Sequence, residues 1–183
     1  MSNFLEIENV NFQIGGNLKV SNVNFTIKNE GDIVCLLGPS GIGKTTILRS
    51  IAGLEKIESG LIKLKGKILS SENKNIEPEK RKVSMSFQEN SLFPHYTIKK
   101  NIDLGTLRAD KNSKKSVDPQ RIINLLNISS ILDKYPHQIS AGEAQRASLA
   151  RSLVSQPELL LLDEPLSNVD QSFKEEIQIK LKQ

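Results

Sequence analysis

The residues whose types and spacing carry the most chemistry are Gly38-Pro39-Ser40-Gly41-Ile42-Gly43-Lys44-Thr45-Thr46, which fit G-x-x-x-x-G-K-[ST]. In that pattern glycines let backbone N–H groups curl around phosphate oxygens, the lysine reaches the β and γ phosphates, and the hydroxyl of Thr45 ligates Mg²⁺. The ligand such a loop takes is ATP or GTP. A second candidate is Asp163-Glu164, at the end of the apolar run ELLLLD over 158–163. A carboxylate at the C-terminal edge of a buried strand can hold Mg²⁺ beside the phosphates, and Glu164 is placed to polarise a water against the γ-phosphate. Each has a plainer reading: a glycine-rich structural turn for the loop, and a solvated strand end before Pro165 for the acidic pair.

The elements that must position these residues are legible in the hydrophobic pattern. Residues 4–10 and 18–28 alternate apolar positions (Leu5, Ile7, Val10; Val20, Val23, Phe25, Ile27) and read as antiparallel strands. The run from Asp32 to Leu37 reads as a continuously apolar strand feeding the glycine loop, and Thr45 to Leu54 has helical spacing. Strand, glycine loop and helix thus follow in the order a phosphate-binding unit needs. Residues 60–70 alternate again, and Val83 to Phe87 reads as a short strand. From Thr97 to Ser155 the pattern is helical in TIKKNIDLG, PQRIINLLNISSIL and SAGEAQRASLARSLVS. The run 158–163 suits a strand buried on both faces, and Gln171 to Lys182 reads as a last helix.

Between the two phosphate-site motifs lies Ile139-Ser140-Ala141-Gly142-Glu143, followed by Ala144-Gln145-Arg146. A serine and backbone amides at a helix N-terminus make an anion site, although Ser140 also reads as an ordinary N-cap. The stretch resembles the LSGGQ signature of ABC-type ATPases, with Ala141 for the first glycine and Glu143 for glutamine. Gln88 in SFQEN matches that family's Q-loop glutamine, and Ser167-Asn168-Val169-Asp170 resembles its D-loop. All five elements occur in family order over nearly the whole chain.

The resemblance implies an α/β P-loop NTPase fold of the ABC ATPase type. It has a mixed core sheet, an N-terminal antiparallel β-subdomain and an inserted α-helical subdomain. The single domain 1–183 would comprise a nucleotide-binding core (1–88 and 158–183) and a helical signature subdomain (89–157). The family's roles fall residue by residue on this chain: Gln88 touches Mg²⁺ and the attacking water, and Ser140 and Gly142 meet the γ-phosphate of ATP held by the opposite subunit. Asp170 couples the two sites of a head-to-tail dimer, and an aromatic residue stacks on adenine. Ile14 aligns best with that aromatic position, and Phe12 is the ring nearest to it. The switch histidine and last core strands of the family would follow Gln183, so the expectation is a cassette cut short.

FQENSLFPHYTIKKNI and KYPHQIS resemble ATPases of binding-protein-dependent importers, such as those for ferric iron, thiamine, sulfate or polyamines. The implied function is an ATPase that energises a membrane importer for a small solute or ion. Its partners would be transmembrane permease subunits, a second ATPase subunit and, indirectly, a solute-binding protein. By composition alone, Phe93 and Tyr96 could instead cap the subdomain's core, and neither His95 nor His137 carries a catalytic role. Two other readings stand beside the importer: a nucleotide-binding or regulatory module without turnover, and a non-transport ABC protein acting on nucleic acid or ribosomes.

Bulk properties agree with a globular ATPase. The 183 residues are 37% hydrophobic, with both charge signs spread along the chain. No apolar run is long enough to span a bilayer and the N-terminus shows no secretory signal, so the chain is expected to stay in the cytosol; the importer resemblance implies a peripheral place at the cytoplasmic face of the membrane. The net charge of +4 draws on clusters at 79–82 (EKRK) and 108–116. Without interleaved aromatics they read as solvated loops, and no nucleic-acid partner is expected. The single cysteine, Cys35, reads as a small buried strand residue.

Overall fold

A computed structural model describes residues 3–14, 18–86, 91–109 and 117–163. The chain divides into two compact units, Met1–Val83 and Ser84–Gln183. In the first, β1 (Leu5–Ile14), β2 (Leu18–Ile27), β3 (Ser59–Leu64), β4 (Lys67–Ser71) and β5 (Lys74–Asn75) form an antiparallel sheet in the order β2-β1-β3-β4-β5. The two expected N-terminal strands are present and paired. Leu5 and Ile7 keep strict alternation, but the next inward residues, Val10 and Phe12, are out of phase with them. The pairing register slips between Ile7 and Val10, and Asn9 takes a positive φ of 50°. One extra residue in the strand restores its apolar face to the core. Asparagine side chains mend the interrupted ladder: Asn24 Oδ1 accepts from Asn9 N–H and Asn11 Oδ1 from Asn22 N–H, each at 2.8 Å.

The alternating stretch 60–70 folds as a hairpin. Lys65 and Gly66 both take positive φ (49° and 76°), the two-residue turn whose twist matches its flanking strands. Between β2 and β3 lies α1 (Lys44–Ala52), which buries Ile51 and Ala52 and ends at Gly53 in the left-handed conformation.

Among the described residues, β6 (Val83–Ser86), which starts at the last residue of the first unit, pairs with β7 (Leu159–Leu162), and the second unit holds the helices α2 (Ile98–Thr106), α3 (Pro119–Leu125) and α4 (Ala141–Val154). Their starts are written locally. Thr97 and Asp118 cap α2 and α3 through side-chain oxygens, and Pro119 opens α3 with its φ already helical. Ile98, Ile102, Leu126, Ile128, Ile131, Ala147 and Val154 pack into one core. The α3 stretch, expected to run as a single element to Leu132, stops at Leu125 and continues as a 3₁₀ turn at Ser129–Ile131. Of β7, Leu161 is buried and its neighbours are half-buried, so this strand is less enclosed than the apolar run predicts. The expected helix 171–182 lies outside the described residues.

One expectation is overturned. Residues 33–39 carry no regular secondary structure, and Ile33, Val34 and Leu37 are 66%, 51% and 91% exposed. Cys35 is likewise exposed rather than buried. A strand exists only by pairing its backbone groups with a neighbour, and among the described residues neither sheet includes this run.

Candidate functional site

The glycine loop leads directly into α1. Gly43, at φ 102° and ψ 12°, is the N-cap, a left-handed position that suits glycine. Its carbonyl accepts the first helical hydrogen bond from Ile47 N–H at 2.9 Å. Gly43 has no side chain with which to cap this end of the helix, and the first turn contains Lys44, Thr45 and Thr46. Backbone donors at the positive end of a helix, left without a side-chain oxygen, favour an anion. The Lys44 ammonium folds back into the loop, donating to the carbonyls of Gly38 and Pro39 at 2.8 Å each. Gly38, Pro39, Ser40, Gly41 and Ile42 are all exposed, as is Thr45. The arrangement offers a lysine charge and helix-start amides to one incoming anion.

In the second unit, α4 begins in a reciprocal cap. Ser140 Oγ accepts from Glu143 N–H at 3.2 Å, while Glu143 Oε2 accepts from Ser140 N–H and from Ser140 Oγ, both at 2.8 Å. The Ser140 backbone and hydroxyl donors hold the Glu143 carboxyl below its ordinary range. The anion character expected here is therefore partly met within the chain, by the carboxylate that stands where the signature has glutamine. Asp163 follows β7, its N–H donating to Ser86 O at 3.2 Å. Gln88, Glu164 and Asp170 lie outside the described residues.

Two further positions correct the sequence reading. Phe12 is 1% exposed and packs in the sheet's core, so its ring has no open face for a base; the register shift in β1 is what turns it inward. Arg81, expected in a solvated basic loop, is 5% exposed. Charge patterning cannot anticipate this, because the Arg81 donors are met by backbone, hydroxyl and amide oxygens of other elements.

The segment after Gln88 is also organised. Buried Asn101 accepts from Phe93 N–H at 2.8 Å and donates to the carbonyls of Phe93, Tyr96 and Thr97. Phe93, His95 and Tyr96 form an aromatic group, with ring centroids 4.3–6.1 Å apart. Lys100 lies over Tyr96 and Arg151 over Phe93. Phe93 is exposed, so it does not cap the core. Arg151 Nη2 also donates to Ser91 Oγ at 2.7 Å, tying α4 to this segment.

The sequence model of a family described as "ABC transporter" matches residues 20–167, a span that includes the glycine loop, the α4 cap and Asp163. The chain belongs to the ABC transporter family. It is 38% identical over its whole length to the Fe(3+) ions import ATP-binding protein FbpC of Fusobacterium nucleatum, covering 48% of that protein. It is 44% identical over 97% of its length to the spermidine/putrescine import ATP-binding protein PotA of Pseudomonas aeruginosa, again covering 48%. The chain thus spans about half the length of the curated relatives it matches. A dimeric ATP-binding cassette, solved in a post-hydrolysis state bound to ADP and Pi, matches with a TM-score of 0.77 at 24% identity, over 97% of this chain and 80% of that one. A second dimeric structure, of a bacterial ABC transporter cassette, gives 0.78 with the same identity and coverage. This ABC family chain therefore has the ATP-binding cassette fold, the α/β P-loop class expected from its motifs.

Proposed function

We propose that this chain is the ATP-binding and ATP-hydrolysing part of a subunit that energises an ABC-type importer of a small solute or ion. The observation that carries the reading is the glycine loop opening α1 without a side-chain cap, with Lys44 drawn into the loop. On binding, phosphate oxygens would replace the Gly38 and Pro39 carbonyls as acceptors for the lysine, and amides of the first turn would meet the same charge.

The residues also suit Mg²⁺. Thr45 is an exposed residue beside the loop, and among the described residues no group of three or more His, Cys, Asp or Glu could hold a metal by itself. A sparse donor set fits an ion that keeps its waters and binds through one or two protein oxygens plus substrate phosphates. Thr45, Asp163 and Gln88 would hold it, and once bound it neutralises charge on the phosphates. Glu164 would accept the proton of the attacking water, and Gln88 would orient that water. Ser140 and Gly142 would face the nucleotide of a head-to-tail partner, and Asp170 would couple the two sites. The exposed aromatic group after Gln88 is the surface offered to permease subunits at the cytoplasmic membrane face. Among the described residues no helix is long and apolar enough to cross a membrane. Its partners would be permease subunits and, through them, a solute-binding protein.

The test is Mg-ATP binding and turnover by the purified chain beside Lys44→Ala. Losing charge-assisted contacts at Lys44 is expected to weaken binding roughly tenfold to a hundredfold and to abolish turnover. Wild-type chain that does not bind Mg-ATP would sink the proposal, and binding without turnover would favour the nucleotide-binding module.

A further inference from the structure

Arg81 is the most enclosed cation among the described residues, and its surroundings contain no oxyanion within hydrogen-bond reach. Its three nitrogens donate to six neutral oxygens: Nε to Ile76 O (2.8 Å), Nη1 to Ser50 O (3.0 Å) and Ile51 O (2.8 Å), and Nη2 to Leu69 O (3.2 Å), Ser70 Oγ (2.8 Å) and Asn75 Oδ1 (2.8 Å). Ser70 is itself fully buried and donates to Asn75 Oδ1 at 2.9 Å, which completes the cradle. Burying a guanidinium is unfavourable unless its donors are met. Desolvation pushes this one down to about 10, which leaves it cationic at neutral pH.

Two of the acceptors, Ser50 and Ile51, are carbonyls in the last turn of α1, the negative end of the helix. The other four lie on the β4–β5 hairpin and the residue after it. Gly53, the α1 C-cap, reinforces the fit. It sits at φ +86°, and a Cβ there would come within 2.6 Å of Arg81 Nε. The helix therefore ends in a residue that yields its side-chain space to the guanidinium. The same nine-residue helix begins at Lys44, so the cation grips one end while the other end faces the phosphate site. A helix of that length is about 13 Å long, and a tilt at its base displaces the first-turn amides.

We propose that Arg81 is a positioning residue for nucleotide binding: it locks the C-terminal end of α1 to the β4–β5 hairpin and thereby fixes the helix-start amides and Lys44 for the phosphates. This rests on the nucleotide reading of the glycine loop.

The experiment compares the wild-type chain with Arg81→Lys, Arg81→Met and a control of matched stability, Leu69→Ala. The control truncates a buried side chain of β4 while leaving the Leu69 backbone carbonyl in place. Affinity for Mg-ATP is measured by titration, and amide exchange over 44–53 is followed without nucleotide. The Arg81 variants are expected to weaken Mg-ATP binding by about tenfold and to exchange faster at the C-terminal turn of α1, with lysine giving partial rescue. The control should change both by less than about twofold. Affinity and exchange that simply follow stability in all three variants would overturn the proposal, as would Arg81 variants indistinguishable from wild type. Should wild-type chain fail to bind Mg-ATP, the nucleotide reading fails, and the exchange arm still decides whether Arg81 holds α1.

Discussion

Ser140 and Glu143 show how much one pair of side chains decides. Each satisfies a donor of the other at the start of α4, so Ser140→Ala is expected to cost about 1 kcal/mol, seen as a lower denaturation midpoint. The same pair gives a pH dependence. The Glu143 carboxyl titrates below its ordinary value of 4.5 because Ser140 donates to its charged form. A depressed carboxyl contributes stability above that ordinary value and loses it as pH falls through the folded value. The protection factor against exchange at the first turn of α4 should therefore fall as pH drops below about 4.5, and Glu143→Gln should flatten this response. A profile unchanged by that substitution would remove Glu143 as its source.

At the scale of elements, the contact between α2 and α4 depends on the absence of a side chain. A Cβ on Gly105 would overlap the Arg151 carbonyl and come within 2.7 Å of Val154 Cγ2. Gly105→Ala must push the helices apart, and is expected to destabilise by about 1–3 kcal/mol despite alanine's better helix propensity. Chemical denaturation reads this directly, and a stabilised variant would show that the packing yields. Asn101 serves the neighbouring loop: its side chain meets one N–H and three carbonyls. Asn101→Leu should leave Phe93 N–H without its buried acceptor, at a cost of about 1–3 kcal/mol. It should also open the Phe93–Tyr96 segment to proteolysis before the helices unfold.

At the scale of the molecule, each compact unit buries apolar residues of its own, among them Leu5, Ile7, Phe12 and Ile62 in the first and Ile98, Leu126 and Val154 in the second. Among the described residues the apolar run 33–37 pairs into neither sheet, and it is mostly exposed beside the glycine loop. Cys35 is the probe of this arrangement. In the native chain it is expected to react with an aromatic disulfide reagent at a rate close to that of the denatured chain. Strong protection would place the run inside a sheet, as its composition alone suggests.

Local signals explain what was readable from residues. The glycine loop, the caps at Thr97, Asp118 and Ser140, and the strands of β1 and β2 rest on neighbours within a few positions, where backbone sterics and side-chain period act directly. That is why the glycine loop before α1, the helical stretch and the family could be named from the sequence. Phe12, Arg81 and the run 33–37 depend on partners far along the chain. Phe12 is buried by a sheet whose bulge keeps its face inward, and Arg81 by carbonyls of α1 and a hairpin. The apolar run stays outside because strand character needs a paired neighbour, which composition does not supply. Sequence by itself determined the family and the glycine loop on which the phosphate proposal rests; the tertiary structure decided which charge is buried, which ring is closed off and which apolar run stays exposed, since burial and pairing arise between segments rather than within them.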